Sequence, residues 1–508
     1  MFSKAYSATI HGIDGLIVSV EADVSDGLPL FDMVGLLNSE VKEARERVRI
    51  ALKNSGFMLP AKRITVNLSP ADIRKEGTVF DLPVAVAILT AFGHIPDENL
   101  NKTLIIGELS LNGNVKKVNG VLPFVYSARQ QGFERCIVPK ENAKEGAVVC
   151  GIKTYGVNSL KEAVELLRDF SAFEPETVDI RQLFENEQEE SDMDFSEVAG
   201  QYAVKRAIEV AVSGMHNILM IGPPGSGKTM LAKRIPSIMP KLTFDESMEI
   251  SKIYSIAGLL DSKAVITKRP FRAPHHTITA TALVGGGTVP KPGEISLAHL
   301  GVLYLDEFPE FQKSTIEVLR QPLEERNVTI SRLNATFRYP ASCMVVAAMN
   351  PCSCGYYPDR NKCNCSIPMV KRYLGKISKP MLDRFDICIE AMNIDFKELQ
   401  TKSKEESSAK IRERINKAHQ IQAERYKDCN IRYNSQLTPK TIKKFCKLES
   451  KEQTLLEKAF IKMNLSARAY HRILKVARTI ADLDNSEKIT VKHLSEAICY
   501  RSLDDKYW

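Results

Sequence analysis

Three short stretches hold the residue types that can work on a phosphate. The first is Gly222-Pro223-Pro224-Gly225-Ser226-Gly227-Lys228-Thr229. Its glycines let backbone N–H groups close around phosphate oxygens, its ammonium reaches the β and γ oxygens, and its threonine hydroxyl suits the shell of a Mg²⁺ ion. The full G-x-x-x-x-G-K-[ST] spacing follows the apolar run NILMI and precedes a helix-like run, so it marks an ATP or GTP site rather than a chance glycine turn. The second stretch is the acid pair Asp306-Glu307 that ends the apolar run GVLYL. Beside a phosphate loop, Asp306 is expected to hold the Mg²⁺ shell and Glu307 to orient and deprotonate the attacking water, because hydrolysis is mostly positioning plus charge stabilisation. The third is Asn350, at the end of CMVVAAM, followed at once by Cys352, Cys354, Cys363 and Cys365. Two C-x-C pairs facing across a loop with Gly355 and Pro358 suit a tetrahedral zinc site. That spacing is tighter than the usual C-x₂₋₄-C, and a reversible redox pair or unliganded thiols are the other readings.

Elements must hold these groups in place. A chain of 508 residues, 44% apolar and 26% charged, has room for two or three globular domains. His11 and Asp14 interrupt the apolar start, and no later run reaches the roughly 18 apolar residues of a membrane span, so a cytoplasmic protein is expected. Seven of the eleven cysteines are scattered singly, which does not read as a disulfide framework. The net charge of +8 is uneven: nine acids between Glu174 and Asp194 face only Arg181, leaving a more basic body. Such a surplus fits a nucleic-acid partner or a solvated surface. The acidic stretch 172–195 reads as a linker. Before it, over 1–171, runs such as GLIVSVEADV and RITVNLSP alternate with helix-like SEVKEARERVRIALKNSG, an α/β pattern. After it, 196–394 opens the nucleotide-binding α/β domain, and from 395 to 508 charged helical patterns dominate.

The three apolar strands ending in the phosphate loop, the acid pair and Asn350 together resemble an AAA+ ATPase. That resemblance implies that Asn350 senses the γ-phosphate. It implies that Arg384, in PMLDRFDICIE, is an arginine finger for a neighbour's ATP, and that Arg468 in LSARAYHRILKVARTIADL is the second sensor, with Arg472 in reserve. A finger acting in trans calls for a closed ring, expected to be a homohexamer. RNVTISRLNATFRYPAS resembles the hairpin with which DNA-translocating members of the MCM/chelatase branch reach their channel. Arg332 is then the candidate for contact with DNA phosphates, or else an exposed turn residue. The paired histidines of RPFRAPHHT read as structural or interface packing rather than metal ligands.

These motifs, with ALVGGG, PKPGEISLAHLGVLYLDEF and NPCSCGYY, resemble the magnesium-chelatase-like AAA+ family known as YifB or ComM. The resemblance implies a hexameric ATPase with ATP and Mg²⁺, acting on branched DNA as a branch-migration helicase in recombination or transformation. A chelatase-type or protein-remodelling ATPase is the alternative. Residues 106–142 and SPADIRKEGTVFDLPVAVAIL resemble the proteolytic domain of Lon, with a ribosomal S5 domain 2-like α/β fold implied. Aligned to that family, Val79 replaces the serine nucleophile and Leu122 the lysine, and Thr78 lies one residue off, so no active protease is expected. The fold class is thus α/β: a Lon-like domain, an AAA+ core with a cysteine knuckle at 352–365, and a helical lid.

Overall fold

The computed structural model describes every residue except 37, 76, 187–192, 261–262, 288–289, 333–334, 394–404 and 508. Part of the acidic linker, the tip of the expected hairpin and the start of the helical region therefore lie outside the described residues. Contacts group the chain into two units: Met1–Glu187 with Thr243–Thr267 and Ser331–Tyr339, and Gln188–Leu242 with Lys268–Ile330 and Pro340–Trp508.

In the first unit, strands with alternating burial make one sheet. Ile64, Val66 and Leu68 face its core, while Arg63, Thr65, Asn67 and Ser69 do not, as a period of two requires. The sheet runs Leu30–Val34, Arg63–Ser69, Asp14–Ser25, Phe2–His11, Thr103–Ile105, Arg135–Pro139, Lys153–Val157. Gly12, at φ +67°, supplies the left-handed residue that turns Phe2–His11 back onto Asp14–Ser25. The helix Asp81–Ala91 is buried along its whole length because almost no face of it is polar.

Two segments that fall within 196–394 in sequence pack into this unit. The helix Phe244–Ala257 opens with a reciprocal cap between Thr243 and Glu246. Met248, Ala264 and Val265 join the unit's apolar core. The Lys252 ammonium lies 3.5 Å from the centre of the Tyr126 ring and 3.7 Å from Asp14. Buried Glu145 accepts hydrogen bonds from the Leu122 N–H, the Asn142 amide and the Ser255 hydroxyl. Burial pushes its carboxyl above the ordinary range despite those donors. From the strand Ala335–Pro340, Phe337 meets the His11 ring at 5.4 Å.

The second unit is built on a five-stranded parallel sheet in the order Phe271–Arg272, Val302–Leu305, Met344–Met349, Ile218–Ile221, Ile387–Glu390. The three central strands are buried at every residue, which is why they read as unbroken apolar runs rather than alternating ones. Helices Ser408–Tyr426, Ala467–Leu483 and Val491–Cys499 share that core. Asp482 ties Ala467–Leu483 to Ser408–Tyr426, accepting from Arg425 of that helix, from Asn434 and from Arg478 on its own helix. The His216 ring bridges Thr479 at 2.8 Å and Asp386 at 3.2 Å, tying the helices to the end of the sheet. The mixed α/β class and the helical carboxyl-terminal region match the sequence reading. No helix among the described residues is long and apolar enough to cross a membrane.

Candidate nucleotide site and cysteine cluster

The sheet order places the strand ending at Asn350 between the strand feeding the phosphate loop and the strand ending at Asp306. Three sequence-distant candidates therefore meet at one edge, the carboxyl ends of parallel strands, where open α/β sheets bind ligands. Gly222 is required by space: a Cβ there would sit 2.2 Å from the Ala391 carbonyl oxygen. Gly225 and Gly227 are required by conformation, with φ of +79° and +82°.

Lys228, the first residue of the helix Lys228–Ile238, is only 8% exposed. Its ammonium donates to the carbonyls of Gly222 and Pro223, both at 2.8 Å, to Ser226 Oγ at 3.2 Å and to Asn350 Oδ1 at 3.4 Å. Burial pushes its pKa down to about 8, with Asp306 opposing. Thr229 Oγ1 donates to Asp306 Oδ2 at 2.8 Å and accepts from the Tyr304 hydroxyl at 3.1 Å. The hydroxyl and carboxylate suited to Mg²⁺ thus lie side by side. Glu307 adopts a left-handed backbone, φ +49° and ψ +44°, and its N–H donates to Asp306 Oδ1 at 2.9 Å. Such a conformation is uncommon for a non-glycine residue. The turn sends Asp306 to Thr229 and leaves the Glu307 side chain 60% exposed.

The candidate arginines are built differently. Arg384 donates to Glu324 at 2.6 Å and to the Pro380 carbonyl, and its buried Nε has no partner among the described residues. Burial lowers its pKa, Glu324 opposes, and Arg320 and Arg468 add repulsion. Arg468 is exposed in the first turn of Ala467–Leu483. Arg472 instead donates to the Phe385 carbonyl at 3.2 Å and lies 3.5 Å from Asp386. None of the hydrogen bonds described for Arg384 or Arg472 reaches the phosphate loop, Asp306 or Glu307. Arg332 ends the strand Asn327–Arg332, paired with Ala335–Pro340 in the expected two-stranded hairpin. Its side chain lies outside the described residues.

The four clustered cysteines converge, with all four Sγ atoms within 4.8 Å of one another. The separations are 3.3 Å for Cys352–Cys354, 3.8 Å for Cys352–Cys363 and 3.6 Å for Cys354–Cys363. Ligands about 2.3 Å from a tetrahedral zinc stand about 3.8 Å apart, so the residues fit the ion. Gly355 (φ +89°) makes the tight turn, and a Cβ on it would lie 2.5 Å from Pro224 Cδ of the phosphate loop. Asn350 thus borders the phosphate-loop segment through Lys228, and the cysteine loop lies against the same segment at Pro224.

Sequence reasoning missed three contacts: Tyr304 on Thr229, Gly355 on Pro224, and His276 on Glu307. The histidine pair gathers no metal-ligating cluster among the described residues; His276 Nδ1 lies 3.2 Å from Glu307 Oε2. The usable signals were an aromatic hydroxyl two residues before Asp306 and a histidine just beyond the edge strand Phe271–Arg272.

A phosphate loop opening a helix, an acid pair and a polar strand end on one parallel sheet define a P-loop ATPase fold of AAA+ type. Family profiles agree: "Magnesium chelatase, subunit ChlI" matches residues 194–399, "Subunit ChlI of Mg-chelatase" residues 20–142, and the ChlI carboxyl-terminal profile residues 405–501. Competence protein ComM of Haemophilus influenzae is 43% identical over 499 residues, spanning 98% of this chain and 97% of its own. YifB of Escherichia coli is 42% identical over 508 residues, 99% of this chain and 97% of its own. Lon protease 2 of Bacillus subtilis is 31% identical over 123 residues, 23% of this chain and 22% of its own. The chain belongs to the YifB/ComM family of magnesium-chelatase-like AAA+ proteins. That membership implies ATPase activity with ATP and Mg²⁺.

Proposed function

We propose that the protein is a homohexameric ATPase motor on DNA, a helicase that drives branch migration of recombination intermediates, including those formed when a competent cell takes up DNA. The observation that carries this reading is the division of the charges. Lys228, Thr229, Asp306, Glu307 and Asn350 gather at one sheet edge. Arg320 and Arg468 lie close enough to Arg384 to repel its charge, in a separate group. Hydrolysis develops charge on the transferring phosphoryl group that an arginine must neutralise, so in this reading the second group serves the ATP of an adjoining copy. Within the site, Lys228 and the loop N–H groups bind the phosphates, Thr229 and Asp306 hold the Mg²⁺, Glu307 takes the proton of the attacking water, and Asn350 reports on the γ-phosphate.

The DNA half of the proposal is supported by the basic body of the chain, by the Asn327–Arg332 hairpin carrying Arg332, and by the likeness to a protein named for competence. Cys352, Cys354, Cys363 and Cys365 hold a structural zinc in this reading. A closed four-thiolate set leaves no open coordination position, so the ion braces rather than reacts. The amino-terminal unit serves as a non-proteolytic scaffold: Val79 and Leu122 are buried apolar residues, and the Thr78 hydroxyl donates to Glu108.

The test is ATP hydrolysis by the full chain at low salt, alone, with linear duplex DNA and with a four-way junction. Stimulation greatest with the junction, and turnover reduced to a small measurable residue in Glu307→Gln with nucleotide binding retained, are the expected results. Hydrolysis indifferent to both DNAs overturns the motor-on-DNA reading and favours a chelatase-type or protein-remodelling ATPase.

A further inference from the structure

We propose that His276 is a positioning residue for hydrolysis, holding the Glu307 carboxylate in the direction from which it accepts the proton of the attacking water; the inference rests on the ATPase reading of the site. Glu307 needs such help. Its side chain has three rotatable torsions, is 60% exposed and leaves a left-handed backbone that points it away from the Asp306–Thr229 pair. Among the described residues, His276 is the group that meets its carboxylate, with Nδ1 at 3.2 Å from Oε2. A carboxylate only accepts, so this approach is attractive with a proton on Nδ1.

His276 is held more firmly than the residue it contacts. Its side chain is 29% exposed, its ring lies 4.1 Å from the His275 ring, and its edge meets Phe311 at 6.4 Å. His275 in turn is fixed to Thr277, whose hydroxyl lies 2.9 Å from His275 Nδ1. The tether therefore runs from a packed ring to a loose carboxylate. An exposed pair of this kind adds almost nothing to stability, so its use lies in direction: misplacement of a catalytic group by about 1 Å can cost about a hundredfold in rate. The contact also gives the paired histidines of RPFRAPHHT a task, with one ring buttressing the other.

The experiment compares ATP turnover by wild type, His276→Ala, His276→Asn and Glu307→Gln in the full-length chain, alone and combined. Asparagine places an amide nitrogen where Nδ1 stands. In His276→Ala, kcat is expected to fall about ten- to hundredfold, while KM for ATP and the melting temperature stay at their wild-type values. His276→Asn should recover most of the rate. His276→Ala added to Glu307→Gln should cost nothing more, because two residues acting as one unit are not additive. Wild-type kcat in His276→Ala, an undiminished further loss on the Glu307→Gln background, or equal losses in the Ala and Asn variants would each overturn the inference. An inactive wild type would overturn the ATPase reading together with it, whereas an active wild type matched by His276→Ala overturns the inference alone.

Discussion

Lys228, in the phosphate loop, and Leu122, at the position that the resemblance to Lon aligns with a lysine, are both buried but are surrounded in opposite ways. Lys228 is buried, and everything around its ammonium is oxygen: two carbonyls, a hydroxyl and the Asn350 amide. Leu122 is fully buried in the apolar core of the other unit, and Val79, at the nucleophile position of a Lon-type site, is 8% exposed. A buried ammonium is tolerated only where polar partners surround it, and the partners of Lys228 come from the phosphate loop and Asn350. Leu122, without a charge, is surrounded by hydrocarbon instead.

The contrast can be broken by one substitution on each side. Lys228→Ala should abolish detectable ATP turnover, a loss of at least about 10²–10³, while melting stays within a few degrees of wild type. Leu122→Ala should do the reverse. It leaves a cavity in a close-packed core and costs about 2–5 kcal/mol, read as early melting of the first unit, with turnover per folded molecule unchanged at low temperature. Melting of Lys228→Ala as early as Leu122→Ala would erase the distinction between a functional and a structural buried side chain.

A smaller effect tests the support of the phosphate loop. Zinc analysis should find one ion per chain, and Cys352→Ser should lose it. Gly355→Ala is the finer probe. It forces a left-handed residue to carry a Cβ at 2.5 Å from Pro224 Cδ, a strain of about 1–3 kcal/mol. With zinc retained, ATP affinity should fall about tenfold. Undiminished affinity in both variants would reduce the knuckle to a bystander.

How much of this was visible before the fold was known follows the range of each interaction. The phosphate loop was legible because its geometry is local: glycines, lysine and threonine act within eight consecutive residues. The strands ending at Asp306 and Asn350 were legible from unbroken apolar runs, since burial on both faces writes itself into composition. The cysteines were legible as a spacing, and the structure brings their sulfurs together. The His276–Glu307 contact was not legible, because it joins a turn four residues beyond the edge strand Phe271–Arg272 to the residues just past Val302–Leu305, two strands brought side by side only by their parallel pairing. Nor was the membership of Thr243–Thr267 in the first unit. Its helix has an ordinary amphipathic sequence, and what commits it is Ser255 meeting buried Glu145, with Lys252 over Tyr126. Tertiary packing of that kind leaves no periodicity to read.

The smallest expected effect concerns the proton on Lys228. Burial lowers its pKa from 10.5 to about 8 in the free protein. A base with a depressed folded-state pKa destabilises the fold fully below that value, and between about 8 and 10.5 the unfolded chain binds more protons, so stability rises with pH in that window. Nucleotide binding should respond with the opposite sign. Phosphate oxygens favour the ammonium, so binding takes up protons, roughly three-quarters of one per site at about pH 8.5, and affinity falls as pH climbs through that range. Calorimetry in buffers of different ionisation heat measures the uptake directly. Lys228→Arg, whose guanidinium stays charged, should bind without it. Equal heats in all buffers for the wild type would mean that Lys228 is fully protonated before ATP arrives. The buried ammonium would then be stabilised by its four oxygen neighbours as completely as Leu122 is by its hydrocarbon ones.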